Sequence, residues 1–471
     1  MPLIVTTTAG AVRGHAGVFL DVPYAAPPVG AGRFAPPRPH EPWPGVRDAT
    51  RPGPTAPQPR RDGFGALDMS PYFGTGWVRG DDYLTLSVWA PPSARDCPVI
   101  VFVHGGGFVT GSTRSPLYDG TAFARDGVVL VTVNYRLGIP GFLDLPGAPR
   151  NRGLLDVVAA LRWVRENIAA FGGDPGTVTL AGQSAGATIT AGVLATPEAD
   201  GLFRRAVVQS GNGLGAFTPE QAARVTRAAA GALGVEPTAA AFGEVPDERF
   251  VAAQLGGLDL RTATDFDPLL GLSAFSLVLD RQPAEALATG VDLLVGTNAD
   301  EGALYLAPQG NLVGSTEQDL FETAARVSAD PAALVASYRA KRPHATPGEL
   351  RSAIMGDALF GTGSRRLAEA HGAAHTYEFA WRSSAVDGQL GAAHTMELPF
   401  VFDRLDLPAL RGPRGLLGTG EPPAELATRM HTAWVDFART GDPGWARSET
   451  RRFTARASST ASPGSPAPQR S

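Results

Sequence analysis

A serine lies in the run Gly182-Gln183-Ser184-Ala185-Gly186, with glycines two positions before and two after it. That spacing suits a strand-to-helix turn so tight that the serine is strained and exposed at its tip. A serine hydroxyl is a weak nucleophile until a base takes its proton, and the base needs an acid to orient it. The chemistry available to such a serine is attack on an acyl carbonyl, and the oxyanion that develops requires N–H donors aimed at it. The Ala185 N–H supplies one at the start of the following helix. His104-Gly105-Gly106-Gly107-Phe108 supplies the rest, because consecutive glycines let bare backbone approach a substrate closely. Either motif alone could be a plain structural turn. Together, each just beyond an apolar run, they favour chemistry. The base is harder to find: there are eight histidines, and spacing alone does not choose among them.

The elements that must hold these motifs are legible in the first half. Residues 98–103 and 128–133 are continuous apolar runs of buried-strand type, the first stopped by the glycine loop. Residues 154–170 have helical periodicity, 178–181 form a short strand leading into the serine turn, an Ala/Thr/Ile helix follows, and 206–210 is the next strand. Strands alternating with helices predict an α/β fold with a mostly parallel central sheet flanked by helices. The second half reads as more helical, with helices at 221–234, 316–327 and 331–340 and returns to the sheet at 291–296 and 376–381. The Pro-rich, aromatic-bearing N-terminal portion predicts an antiparallel edge to the same sheet.

Composition excludes several classes. The 471 residues are 43% hydrophobic, ample for a large core. Lys and Arg number 41 against 46 Asp and Glu, a net charge of −5, so nucleic acid and anionic membranes exert no electrostatic pull. Cys97 is the sole cysteine, which excludes an internal disulfide and a cysteine-based zinc site. The opening Met-Pro-Leu-Ile-Val-Thr lacks a basic segment, and no stretch approaches the roughly 18 apolar residues of a spanning helix. The expectation is a cytoplasmic protein, monomeric or weakly self-associating, with no nucleic-acid or membrane partner and no cofactor or metal.

Longer stretches resemble a known family. Phe171-Gly-Gly-Asp-Pro-Gly-Thr-Val-Thr-Leu-Ala-Gly-Gln-Ser-Ala-Gly186 is similar throughout to the active-serine signature of the type-B carboxylesterases, α/β-hydrolases that include the cholinesterases. Asp81-Asp-Tyr-Leu-Thr-Leu-Ser-Val-Trp-Ala-Pro91 resembles that family's second signature at all positions but one. Val22-Pro-Tyr-Ala-Ala-Pro-Pro-Val-Gly30, residues 43–50 and residues 201–211 are similar to other family segments. The resemblance runs from about Gly10 to about Trp445. It implies a hydrolase of small-molecule carboxylic esters on the α/β-hydrolase fold over 1–446. The helical blocks at about 212–290 and 302–375 read as cap insertions, and the tail over 447–471 reads as disordered or atypical, since from Ala455 it has no large apolar residue to offset its ordering entropy.

Carried over position by position, the resemblance implies Ser184 as nucleophile, Glu301 as acid and His394 as base, in the order that this topology produces. It further implies an oxyanion hole from Gly106, Gly107 and Ala185, and a supporting role for Ser210 behind the acid. The residues themselves leave Asp300 and Glu301 equivalent, since they are adjacent and either could hold the imidazole. His371 and His375, four apart, could pair on a metal only with a further ligand. Two departures stand out. Ala56 and Tyr83 occupy positions where many members have a disulfide, so both halves are absent together, and the Ser/Pro/Ala/Arg stretch after Trp445 replaces a packed segment. Tyr72, Phe73 and Trp77, between those two positions, read as packing anchors or as a face for a cationic substrate.

Overall fold

The computed structural model describes residues 2–455 apart from 254 and 289, and one large sheet runs through them. Its N-terminal edge comprises β1 (Pro2–Thr6), β2 (Ala11–His15) and β3 (Val18–Pro23), with β4 (Val46–Asp48) beside β2. A separate short hairpin, β5 (Gly63–Phe64) and β6 (Leu67–Asp68), precedes the central strands. These are β7 (Thr85–Trp89), β8 (Cys97–Val103), β9 (Val129–Val133), β10 (Gly173–Gln183), β11 (Arg205–Gln209), β12 (Asp292–Asn298), β13 (His375–Phe379) and β14 (Thr450–Phe453). The spatial order is β1-β2-β3-β7-β9-β8-β10-β11-β12-β13-β14. Pairing is antiparallel from β1 through β7 to β9, and parallel from β9 to β14. This is the α/β-hydrolase arrangement, with the expected antiparallel N-terminal edge.

The central strands are apolar on both faces because both are covered. Along β8, Val99, Val101 and Val103 join one core with Leu154, Val157, Leu161 and Val164 of the helix Arg152–Asn167. The alternate residues Ile100 and Phe102 join a second core with Met430, Trp434 and Phe437 of the helix Ala424–Thr440. The period of two along the strand thus sorts the sequence into two layers of helix. Between β11 and β12 lies the helix Pro219–Leu233, begun by a capping box of Thr218 and Gln221. Between β12 and β13 lie Glu317–Ala325, Pro331–Lys341, Pro347–Gly356 and Thr362–His371.

The strand Thr85–Trp89 belongs to the expected antiparallel edge, and its alternating Thr85 and Ser87 are as buried as their apolar neighbours. One expectation needs correction. The tail expected to be atypical from 447 instead supplies β14, an edge strand parallel to β13, in which Phe453 is buried against Tyr377 and Trp434. One large apolar residue at the end of a polar run is enough to dock it. The expected disorder over 456–471 lies outside the described residues.

One buried ion pair ties three parts together. Arg136, just past β9, and Asp156, in the helix Arg152–Asn167, are both fully buried. The guanidinium grips the carboxylate at two points, 2.9 and 2.7 Å, and also donates to the carbonyls of Arg33 and Ala35 in the N-terminal segment. Removing one partner leaves an uncompensated charge in the core. Asp156→Ala is therefore expected to lower unfolding stability by about 3–5 kcal/mol, read as a shift in the denaturant midpoint.

Candidate active site

Ser184 sits one residue beyond the carboxyl end of β10, at the start of the helix Ala185–Leu194. Its backbone is at φ 57°, ψ −124°, a region that a residue with a β-carbon rarely enters. The flanking glycines are required by space. A β-carbon at Gly182 would lie 2.3 Å from the Gly186 carbonyl oxygen, and one at Gly186 would lie 2.1 Å from that of Val103. The turn is pinned by the Ser184 N–H, which donates to the Gln209 carbonyl at 2.9 Å.

The other residues singled out in the sequence gather at the same edge of the sheet. Gly182 pairs with Val103 and Val208, and Gln209 pairs with Gly296, so the loops after β8, β10, β11 and β12 end side by side. Ligands bind at the carboxyl ends of such strands. His394, nearly fully buried, reaches the serine from far along the chain: its Nε2 lies 2.9 Å from Ser184 Oγ. Its Nδ1 lies 2.6 Å from Glu301 Oε2. In the neutral imidazole this pair of contacts makes Nδ1–H the donor to the carboxylate and Nε2 the acceptor for the serine hydroxyl. The ring stacks on Phe360, centroids 4.1 Å apart and 10° from parallel, which fixes its plane.

The choice between the adjacent acids follows from the same geometry. Asp300 accepts from Arg382 at 2.5 Å and from the Ala392 N–H at 2.9 Å, and so anchors the loop that bears His394. Glu301 faces the ring. Its second oxygen accepts from Ser210 Oγ at 2.5 Å and from the Asn298 N–H at 2.7 Å.

The glycine loop lies against the serine. A β-carbon on Gly105 would be 3.0 Å from that of Ser184, and one on Gly106 would be 1.9 Å from the Thr110 carbonyl oxygen. Gly106 and Gly107 have φ of +117° and +62°, open to glycine. Among the described residues, the N–H groups of Gly106, Gly107 and Ala185 have no hydrogen-bond acceptor in the protein. His104 braces the loop from behind. Its ring stacks on Tyr135, whose hydroxyl donates to the His104 carbonyl at 2.7 Å. Burial pushes the His104 imidazole down to about 4, so it is neutral at ordinary pH.

Around Ser184 and His394 is a mostly apolar cavity of about 110 Å³, walled by Phe64, Met69, Phe73, Phe108, Leu304 and Phe360 among others. Tyr72 lines it too, its hydroxyl donating to the Thr395 carbonyl at 3.2 Å, whereas Trp77 instead lies under the Arg79 guanidinium. Ala56 and Tyr83 are both buried in the larger core. Cys97 is half-buried against that core. His371 and His375 do not form a pair: the first donates to the Val291 carbonyl at 2.7 Å, and the second faces Arg447.

Sequence reasoning missed a second carboxyl group behind the first. Glu397, fully buried, accepts from Asn298 Nδ2 at 2.7 Å and faces Gln209 Nε2 at 3.4 Å. Gln209 in turn accepts from Trp434 Nε1 at 3.0 Å. Burial, reinforced by the nearby Glu301 charge, pushes Glu397 up to about 7. The available signal was an acid inside the apolar run Met396-Glu397-Leu398-Pro399-Phe400, three residues after His394.

This sheet, with a serine on a strained bend beside unpaired amides and an imidazole backed by a carboxylate, defines an α/β-hydrolase. The carboxylesterase family profile matches residues 2–460, and the chain belongs to that family. It is a serine carboxylic-ester hydrolase. It is similar to phenmedipham hydrolase of Pseudarthrobacter oxydans, 38% identical over 93% of this chain and 90% of that one. It is also similar to para-nitrobenzyl esterase of Bacillus subtilis (strain 168), 37% identical over 93% and 90% of the two chains. Among solved structures, a carboxylesterase of Geobacillus stearothermophilus superposes with a TM-score of 0.80 at 35% identity, covering 96% of each chain.

The Glu397 carboxyl makes stability depend on pH. Its ordinary value is 4.5, so between there and about 7 the folded protein holds a proton that the unfolded chain has released. Stability from this group is present below that interval and declines as pH rises through it. Glu397→Gln, which cannot ionise, should flatten the pH dependence of unfolding there by on the order of 3 kcal/mol, read from denaturant melts at several pH values.

Proposed function

We propose that Ser184 is the nucleophile, His394 the general base and Glu301 the acid that holds the imidazole. The serine–imidazole–carboxylate relay, at 2.9 and 2.6 Å, carries this reading. Ser184 Oγ attacks the ester carbonyl as its proton passes to His394 Nε2. The N–H groups of Gly106, Gly107 and Ala185 receive the tetrahedral oxyanion. Collapse of that intermediate breaks the bond to the alcohol, which leaves with the proton from His394. Water, deprotonated by the same nitrogen, then attacks the acyl-enzyme and releases the acid. Ser210 and Asn298 hold Glu301 so that its other oxygen remains on the ring. No cofactor or metal enters these steps.

The substrates on this reading are small to medium esters, for which the support is the compact apolar cavity at Ser184. A reducing, cytoplasmic setting and a monomeric or weakly associated state belong to the same proposal. The reducing setting is supported by the lone Cys97 and by an alanine and a tyrosine at the two positions where the family resemblance implies a disulfide.

Wild type should hydrolyse p-nitrophenyl butyrate, with kcat falling about 10⁴-fold or more in Ser184→Ala. A fluorophosphonate should label wild type stoichiometrically and leave Ser184→Ala unlabelled. Equal turnover by the two proteins overturns the proposal.

A further inference from the structure

The cavity at Ser184 holds one permanent cation and no acid. Arg61, half-buried, lines it together with neutral side chains and His394, and neither an aspartate nor a glutamate is among its walls. The same arginine, with Leu272 and Ser273, also lines a neighbouring cavity of about 420 Å³, so it stands on the wall between the two. Its guanidinium is positioned by packing: its carbon lies 5.7 Å from the Phe64 ring centre and 5.9 Å from that of Phe73. Its Nη1 would be 4.0 Å from a β-carbon on Gly107, which sets it beside one of the amides assigned to the oxyanion.

Among the described residues no acid neutralises this charge. Among the described residues, Arg61 has neither a hydrogen-bond acceptor nor an ion-pair partner. The nearest acid in sequence, Asp62, is held by Arg60 at 2.6 Å. Burial pulls the Arg61 guanidinium below its ordinary range. Other enclosed arginines of this chain are matched, as Arg136 is by Asp156 and as Arg152 is by four carbonyls. A guanidinium taken from water without such partners is costly, and its planar fork is complementary to a carboxylate.

We propose that Arg61 recognises a carboxylate carried by the ester substrate, so that the enzyme prefers anionic esters whose charge lies a few bonds from the scissile carbonyl. This rests on the Ser184 reading above. Two pairs of esters test it and locate the charge. p-Nitrophenyl butyrate against mono-p-nitrophenyl glutarate places the carboxylate in the acyl part. Phenyl acetate against 4-acetoxybenzoate places it in the alcohol part. In Arg61→Met the charged-to-neutral ratio of kcat/KM should fall about tenfold or more in one of the pairs. Arg61→Lys should retain most of that ratio, and added salt should lower it in wild type. A ratio unmoved by Arg61→Met in both pairs overturns the assignment. Failure of the underlying hydrolase reading looks different: Ser184→Ala would then turn over the neutral esters at the wild-type rate, and both proposals would fall.

Discussion

The site depends on a backbone bend that its own residues resist. Ser184 at φ 57° is one of four non-glycine residues with positive φ in the loops that meet there, the others being Phe108, Ser210 and Thr395. Each such conformation costs on the order of 1–3 kcal/mol and persists only where its surroundings leave no alternative. Here the constraint comes from the sheet. Parallel strands in fixed register bring the loop ends together, Gly182 and Gly186 let backbones pass at contact distance, and the Gln209 carbonyl holds the Ser184 amide. The hydroxyl is thereby presented to the imidazole by rigid elements.

Charge is distributed with similar economy around it. Two glutamates lie close together behind His394, yet they differ in environment. Glu301 receives a hydroxyl and a backbone N–H and faces the ring, whereas Glu397 is enclosed with two side-chain amides and tends to keep its proton. Unlike surroundings set two like groups to unlike tasks. Asn298 links them, donating its backbone N–H to one and its side-chain N–H to the other. His104, which braces the glycine loop, is held neutral by its burial.

Much of this was legible in the sequence because it is local. The serine turn, the glycine loop and the strands before them are runs of a few residues whose periodicity and glycine spacing have direct steric meaning. The partners of the serine are not local: His394 meets Ser184 across 210 residues, and although the small residues before it and the apolar segment after it mark it out, only the resemblance gave it a role. The choice between Asp300 and Glu301 turned on which one the Ala392 amide and Arg382 would claim, a tertiary fact. Glu397 was passed over although an acid inside an apolar run signals burial, because the run does not say which groups will surround it. The strand Thr450–Phe453 escaped because a strand at the sheet's edge needs little apolar content of its own.

That last strand bears on how the protein is made. β13 keeps an open, hydrogen-bond-hungry flank until Thr450–Phe453 arrives, and the helix Ala424–Thr440 that covers one face of the sheet is also translated late. A nascent chain leaving the ribosome would therefore carry its serine bend long before the imidazole meant to serve it emerges. Until then the partly made sheet ends in an exposed strand edge, the kind of surface on which incomplete chains aggregate.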